Sequence, residues 1–283
     1  MDDGLRLSEA EIQKIFSLLS SSTTFQGFTK GVLTEFIKNC DVNDLGPHDL
    51  IWDEQNGNDL DFMVVVAGCV AVWGKNYDEE TVDAFLGPGK IIGASEYFRL
   101  DSTASQFKTL TDCRLLVASQ IAIDVLKENA TSELTESERC QLFYRNICRS
   151  LLERLRSQIS VLKVRTGQND KRLAKLFENF TRDPGWRELT TIKTKLQMDG
   201  FKIGLFFTAD LLEGLLSSQE RVIAPVVKQF IKEGLIQMYS ADDDFLTDKS
   251  PVPANRFPIG AFPNFPYFQF EVLNHTKLMK KIE

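Results

Sequence analysis

The chain has 283 residues, and 43% of them are hydrophobic, so it is long enough for two domains with cores of their own. Its formal net charge of −7 argues against a surface adapted as a whole to nucleic acid, although a local basic patch can still exist. The five cysteines include no CxxC pair, which argues against a disulfide framework or a structural zinc site.

Targeting and catalytic signals are absent from the sequence. It contains no apolar run of about 18 residues, and its start, Met1-Asp2-Asp3-Gly4, lacks the basic and apolar regions of a secretion signal. We therefore expect a cytoplasmic protein that does not enter a membrane. No catalytic triad, paired carboxylates, phosphate-binding loop or metal cluster stands out, so we expect no enzyme.

Two short helices and a series of strands are predicted for the first half. Ser8 and Glu11 form a capping box ahead of apolar residues at helical spacing, and a second helical pattern covers Thr29 to Asn39. Turn residues then separate short β-prone runs in a spacing typical of a β-barrel or jelly roll. These runs are residues 50–52, 62–66, 69–73, 81–85, 91–92, 106–110 and 115–117.

A long helix is predicted from Ser137 to Arg165, between the β-rich first half and a mixed second half. One apolar stripe on it steps by four, three, four and three residues, the heptad spacing of a seam between helices. This stripe consists of Cys148, Leu152, Leu155, Ile159 and Leu162. A second stripe, Phe143, Ile147 and Leu151, follows a neighbouring face. We interpret the first stripe as a homodimer seam and the second as packing on the β-domain; the alternative is a helix buried inside a monomer.

The second half reads as helix, strand pair and helix-turn-helix. A helix is predicted over Lys171 to Phe180, and a strand pair around Asp199-Gly200. Thr208 caps the next helix, and a short turn leads to a helix that Gly234 ends. Two helices joined by such a turn have the geometry that reads DNA.

Short motifs in the first half follow one another in an order typical of one family. They are Leu45-Gly46-Pro47, Leu50-Ile51-Trp52, Asn56-Gly57-Asn58-Asp59, Phe62 to Val66, Gly68-Cys69-Val70-Ala71-Val72, Leu86-Gly87-Pro88-Gly89, Ile92-Gly93 and Leu110-Thr111-Asp112-Cys113. This order resembles the cyclic-nucleotide-binding β-roll of the catabolite activator protein and FNR (Crp/Fnr) family. The helix from Ser137 looks like that family's dimerisation helix, and the segment from Thr208 to Ile236 is similar to its winged helix-turn-helix.

The resemblance implies an α+β fold with a β-roll (double-stranded β-helix or jelly roll), a long dimerisation helix and a C-terminal winged helix-turn-helix. It divides the chain into a β-roll with N-terminal helices over residues 1–130, the long helix over 131–168 and the winged domain over 169–250. Residues 251–283 form a Pro- and Phe-rich C-terminal extension that the resemblance does not cover.

The resemblance also implies an effector pocket, in which a glutamate after a glycine holds a ribose and an arginine offsets a phosphate. Here the glycine is Gly93, but Ala94 and Thr103 stand at or near the two anchor positions. The pocket, with Ser95 and Ala104 as its other residues, is therefore degenerate. A cyclic nucleotide is disfavoured as effector, because a lost charge-assisted contact costs about 1.5 to 3 kcal/mol. Iron–sulfur clusters need clustered cysteines, which this chain lacks. A haem would need an axial histidine, but His48 lies in a predicted turn. We therefore expect no other cofactor.

The implied DNA-reading residues also depart from the family pattern, in which Ser-Arg-Glu begins the reading helix. This chain has Gln219, Glu220 and Arg221 there, Lys228 further along, and Pro225 where a second arginine is typical. Pro225 predicts a kink or a later start of this helix. Residues 201–250 carry five basic and eight acidic residues, and Asp242-Asp243-Asp244 would lie on the wing, so the charge opposes DNA binding.

Two further segments offer surfaces for a protein partner. Basic residues line the long helix (137–165), and the tail from Pro251 to Phe270 combines five prolines with six aromatic residues. The tail either covers its own domain in extended form or presents aromatic side chains to a partner. The sequence therefore predicts a dimeric Crp/Fnr-like transcription regulator whose effector is not ordinary cyclic AMP. The alternative is a degenerate member that binds no DNA and acts as an adaptor or scaffold between proteins.

Overall fold

The structure, a computed structural model, describes residues 7–54, 60–76, 79–94, 104–128, 136–182, 190–191, 200–241, 250–263 and 267–282. The chain divides into two compact units. The first consists of Met1–Val72 and Phe85–Arg156, and the second of Trp73–Ala84 and Ser157–Glu283.

The two N-terminal helices are confirmed. Helix α1 spans Glu9–Ser21, and the Ser8 hydroxyl and the Glu11 carboxylate complete the predicted capping box. Helix α2 spans Lys30–Lys38, and the Thr29 hydroxyl accepts a hydrogen bond from the Val32 N–H. Both caps satisfy N–H groups that a helix start otherwise leaves without acceptors.

Eight strands between residues 40 and 118 form two four-stranded sheets. They are β1 Cys40–Leu45, β2 Leu50–Asp53, β3 Met63–Ala67, β4 Val70–Asn76, β5 Glu79–Leu86, β6 Ile91–Ile92, β7 Ala104–Thr109 and β8 Cys113–Ala118. The sheet orders are β1-β8-β3-β6 and β2-β7-β4-β5. Strands adjacent in these sheets are not always adjacent in sequence, and β1–β8, β3–β8, β3–β6 and β2–β7 pair antiparallel. This is the jelly-roll arrangement that the turn spacing predicted.

Two elements of this half were not predicted. Strand β1 has the polar sequence CDVNDL, yet all six of its residues pair with β8. Helix α3, Gln120–Glu128, follows β8 and buries Ala122, Ile123 and Leu126. Pairing and packing with distant segments stabilise both elements. A local sequence pattern reveals little about such long-range contacts.

Helix α4 spans Glu136–Val164, within one residue of the prediction at each end. Its second apolar stripe is buried as expected: Phe143 and Ile147 belong to the core of the first unit, and Leu151 packs against it. The Phe143 ring lies 6.4 Å from the Phe62 ring. The same core contains residues of α1, α2, α3 and the first sheet, so this face of α4 is held by the β-domain.

The second unit contains the rest of the secondary structure. Its elements are α5 Asn169–Arg182, β9 Thr190–Thr191, β10 Phe201–Ile203, α6 Ala209–Leu216, α7 Glu220–Lys232, β11 Ile236–Ala241, β12 Ser250–Pro251, a 3-10 helix Ala254–Arg256, β13 Tyr267–Val272 and α8 His275–Met279. The five strands form one sheet in the order β12-β11-β13-β10-β9. Strands β9 and β10 pair antiparallel. The strand pair predicted around Asp199-Gly200, within residues 192–207, includes β10, but β9 precedes that range and residues 192–199 lie outside the described ones.

The tail residues are integrated into this sheet. Strand β13 lies between β11 and β10 and pairs antiparallel with both, so the sheet joins segments on both sides of the boundary predicted at residue 250. The tail's aromatic side chains Phe257, Phe262, Phe268 and Phe270 are buried. For these residues, the structure agrees with the interpretation that the tail covers its own domain.

The structure contains no helix, among the residues it describes, that is both long enough and apolar enough to cross a bilayer.

Candidate nucleic-acid interface

Helices α6 and α7 form a helix-turn-helix. The Thr208 hydroxyl accepts a hydrogen bond from the Leu211 N–H (3.1 Å) and begins α6 as predicted. Ser217 ends α6 in the left-handed conformation (φ 46°) at the position where the family has a turn glycine. Arg172 of α5 donates to the carbonyls of Leu216 (3.3 Å) and Ser217 (3.4 Å). The turn is therefore held from a third helix, which helps a serine adopt a conformation that usually favours glycine.

The buried sides of both helices are apolar, and this fixes which side of α7 faces outward. In α6 the apolar face of Leu211, Leu212, Leu215 and Leu216 is buried. In α7 the buried residues are Ile223, Ala224, Val227 and Phe230. The opposite face of α7 is exposed and consists of Arg221, Val222, Pro225, Gln229 and Lys232. We call these five residues the outer face of α7.

Pro225 neither delays nor interrupts the helix, so the later start is not found, whereas the predicted kink stays a prediction. Helix α7 begins at Glu220 and continues through Pro225 to Lys232. Proline lacks an N–H group, so the carbonyl of Arg221, four residues earlier, loses its intrahelical donor. Arg221 lies in the first turn, and both Arg221 and Pro225 are exposed, so water can reach this carbonyl.

The four predicted reading residues divide into two pairs. Gln219 is the N-terminal cap of α7, and its side chain is exposed, as is that of Arg221. The Glu220 carboxylate accepts a hydrogen bond from the Phe262 N–H (2.5 Å), and the Lys228 ammonium donates to the Phe257 carbonyl (3.1 Å). Glu220 and Lys228 therefore bind the C-terminal tail, which the sequence could not indicate.

Three carboxylates beside α7, those of Glu213, Glu220 and Glu233, accept hydrogen bonds. The Glu213 carboxylate, where the family has a small residue, accepts the Glu220 N–H and so caps α7. Hydrogen bonds from Gln229 and Lys281 hold the pKa of Glu233 below its usual value. Hydrogen-bond donors offset part of each negative charge. The formal charge of residues 201–250 therefore overstates how strongly the surface beside α7 repels phosphate. The predicted acidic wing, Asp242-Asp243-Asp244, lies outside the described residues.

The predicted effector pocket is described only in part. Gly93 has φ +79° and lies against the backbone of Asp61, and Ala94 is buried. Ala104 begins β7, whereas Ser95 and Thr103 lie outside the described residues. A buried methyl group cannot accept a hydrogen bond from a ribose, so the structure supplies no carboxylate at position 94.

We predict that Gly93→Ala destabilises the first unit by about 3 kcal/mol or more. A β-carbon at position 93 would lie 2.3 Å from the Asp61 carbonyl oxygen and would also have a left-handed backbone. Gly167→Ala is the matched control, because Gly167 has φ +103° but no atom nearer than 3.8 Å to its added β-carbon. Gly167→Ala should lower the free energy of unfolding by only about 1 to 2 kcal/mol. Urea denaturation of both variants checks this, and equal losses would refute it.

The predicted dimer seam on α4 is exposed in the isolated chain. Cys148 is exposed, and the exposed fractions of the other four residues are 57% for Leu152, 50% for Leu155, 44% for Ile159 and 52% for Leu162. Several apolar residues at heptad spacing on one helix seldom all remain open to water, so this stripe is a candidate interface.

The basic residues of the long helix do not form one continuous free surface. Arg149 donates to the Gln26 side chain (3.0 Å), and the Arg154 guanidinium lies 5.7 Å from the Phe107 ring centre. Arg165 is buried. Arg145, Arg156 and Lys163 are exposed, so fewer charges are available to a protein partner than the sequence suggested.

Several solved structures have the same fold, and two of those named below are described as regulators. A CooA mutant from Carboxydothermus hydrogenoformans is 13% identical, with 99% of each chain covered and a TM-score of 0.55. A putative Crp/Fnr regulator from Eubacterium rectale is 12% identical (90% of this chain, 95% of that one, TM-score 0.54). The c-di-GMP responsive regulator CLP from Xanthomonas campestris is 16% identical (80% and 99%, TM-score 0.53).

Comparison of sequences alone gives no match, either to a family model or to a curated protein. The structural likeness nevertheless extends over nearly the full length of both chains in the first case. The chain therefore has the α+β fold of the Crp/Fnr regulators, with a β-roll, a long helix and a C-terminal helix-turn-helix domain.

Proposed function

We propose that the chain is a dimeric, cytoplasmic transcription regulator that binds a specific DNA sequence and does not respond to ordinary cyclic AMP. The observation that carries this proposal is the outer face of α7. It projects from a helix-turn-helix whose buried faces are fully apolar, and it has an arginine near its start and a lysine at its end. Such a face suits the major groove, where arginine side chains read guanine edges.

The exposed seam on α4 supports the dimeric part of the proposal. Symmetric pairing of two chains through Cys148, Leu152, Leu155, Ile159 and Leu162 removes these side chains from water. A two-fold dimer carries two copies of α7, which read the two halves of an inverted repeat. Half-sites of helix-turn-helix dimers lie about 34 Å, or one turn of DNA, apart.

The proposal about the effector depends on Ala94. In the resembled family a carboxylate at this position holds the ribose, and here a buried methyl group replaces it. A ligand that needs this contact loses a charge-assisted hydrogen bond. One protein with this fold, CLP, is described as responsive to c-di-GMP, so a ligand other than cyclic AMP is compatible with the architecture.

Selection from a library of genomic fragments tests the function. The full chain should enrich fragments that share an inverted repeat, and fluorescence anisotropy should give an affinity for the repeat that falls steeply with salt. Addition of cyclic AMP should leave that affinity unchanged. Arg221→Ala should weaken binding about five- to hundred-fold, since one base-reading arginine accounts for roughly that discrimination.

Lys14→Ala is the matched control for Arg221→Ala, because Lys14 is exposed and belongs to α1, in the first unit. It removes the same charge and should change the affinity less than twofold. An enrichment with no shared sequence, together with no binding of any duplex at low salt, would reject DNA binding. That outcome would favour the alternative role as an adaptor between proteins.

A further inference from the structure

A loop of the C-terminal tail lies against the reading helix α7. This loop, residues 252–263, follows β12 and includes the 3-10 helix Ala254–Arg256; we call it the tail loop. Val252, Phe257 and Phe262 anchor it in the core. The rings of Phe257 and Phe262 lie 6.0 Å apart, and the Phe262 ring stacks on Phe268 of β13 at 5.2 Å. The sheet and these rings therefore fix both ends of the tail loop.

Two hydrogen bonds hold the tail loop to α7 itself. The Lys228 ammonium donates to the Phe257 carbonyl (3.1 Å), and the Phe262 N–H donates to the Glu220 carboxylate (2.5 Å). Between these points Gly260 has φ +70°, and a β-carbon on it would lie 3.7 Å from the Cα and the carbonyl oxygen of Arg221. The tip of the tail loop therefore lies beside the first turn of α7, next to an exposed arginine.

The side chains that this arrangement presents to water differ from those that anchor it. Arg256, Pro258 and Ile259 are exposed, and Ile259 is as exposed as an isolated residue, at 103%. A loop fixed at both ends has no packing reason to hold an isoleucine entirely in water. Beside exposed arginines, such an apolar side chain offers a nucleic-acid groove a surface to pack on.

Charge indicates the chemistry of that partner. Arg256 and Arg221 are exposed on the tail loop and on α7, and Lys232 is exposed at the far end of the helix. The nearby carboxylates of Glu213 and Glu220 accept hydrogen bonds from backbone N–H groups, which offset part of their charge. Exposed cations beside such carboxylates fit a polyanion, and apolar side chains beside arginines are used at DNA grooves.

We propose that the tail loop is a second DNA-contacting element beside α7. Arg256 binds a backbone phosphate, and Ile259 packs on sugars and base edges next to the bases that α7 reads. The inference rests on the proposed DNA-binding function and adds to it a contact outside the helix-turn-helix. It also gives the Lys228 and Glu220 side chains a role, which is to position the tail loop relative to α7.

Two variants separate the two contacts. Arg256→Ala should weaken binding about three- to tenfold on the selected repeat and on a scrambled duplex alike. It should also reduce the slope of log affinity against log salt by about one per protomer, since one phosphate contact is lost. Ile259→Ser should leave that slope unchanged but reduce the preference for the selected repeat about threefold or more. Both positions are exposed, so melting temperatures should match that of the unaltered chain.

The outcomes distinguish the inference from the function on which it rests. Lys14→Ala again controls for the loss of one positive charge and should change neither the slope nor the preference. If the unaltered chain binds the selected repeat while Arg256→Ala and Ile259→Ser bind like it, the tail loop does not contact DNA and only the inference fails. If the unaltered chain binds no duplex at all, both fail.

Discussion

Leu152→Glu combined with Leu155→Glu should convert the proposed dimer into monomers. Each leucine is about half exposed in the isolated chain, so covering it stabilises the dimer by about 1 kcal/mol. Four leucines in a symmetric dimer contribute about 4 kcal/mol, which corresponds to about a thousand-fold in the dissociation constant. Glutamates would also place like charges opposite each other, which adds to the effect.

Sedimentation equilibrium across a range of concentrations measures this loss, and DNA affinity should fall with it because only one half-site is then engaged. Ile121→Glu is the matched control, since Ile121 is an exposed apolar residue of α3 outside the seam. It should leave the dimer intact. A double-glutamate variant that remains dimeric would show that the chains associate elsewhere.

Cys148 offers an independent test of the same seam. In a parallel pairing, equivalent heptad positions face each other, so copper-catalysed oxidation should link two chains through this exposed thiol. Cys69 and Cys113 are buried, and burial raises the pKa of the Cys40 thiol to about 12, so these thiols should react slowly. Cys148→Ser should abolish the covalent dimer; a cross-link that survives it would place the contact at another cysteine.

Arg165→Met should lower the free energy of unfolding of the second unit by about 2 to 3 kcal/mol. The Arg165 side chain, which follows α4, is only 10% exposed. Its Nη2 donates to the carbonyls of Val82 (2.6 Å) and Gly214 (3.3 Å) and lies 4.0 Å from Asp83. Methionine has a similar length but no donor, so two carbonyls would lose their partner inside the protein.

Urea denaturation followed by circular dichroism measures this effect, and Arg165→Lys is the conservative control. A lysine retains the charge near Asp83 but cannot donate to both carbonyls from a planar group, so it should restore about half of the loss. Burial lowers the pKa of Arg165 and Asp83 opposes that shift, so the charge is retained across the ordinary pH range. An Arg165→Met protein as stable as the unaltered chain would mean that the carbonyls find other donors.

The sequence predicted best those elements whose stability is local. The Ser8 and Thr208 caps, the buried stripe of Phe143 and Ile147, and the apolar faces of α6 and α7 all lie where periodicity and capping placed them. Each depends on residues within about two helical turns of one another, and short-range patterns carry that information.

The elements that the sequence did not predict depend on distant partners. Strand β1 has a largely polar sequence, and its pairing with β8, some 70 residues later, stabilises it. Strand β13 is central in its sheet and buries Gln269 and Glu271 beside Phe268 and Phe270, so it lacks a polar face. Neither pattern resembles that of a half-buried strand.

In the candidate site, too, some features depend on local sequence and others on distant segments. The position of α7 and the exposure of Arg221 follow from the apolar face of the helix, which is visible in the sequence. The engagement of Glu220 and Lys228 by the tail loop requires Phe257 and Phe262 to lie beside the helix. That placement depends on β12 and β13 joining the same sheet as β11, a non-local event that the Pro- and Phe-rich composition alone does not reveal.

The most direct test of the central claim compares two affinities of the full-length chain at physiological salt. One is for the inverted repeat recovered by selection, and the other is for a duplex of the same composition with the repeat scrambled. A sequence-reading dimer should prefer the repeat by about a thousand-fold or more, with two chains bound per duplex. Equal affinities for the two duplexes would contradict the assignment of α7 as a DNA-reading helix.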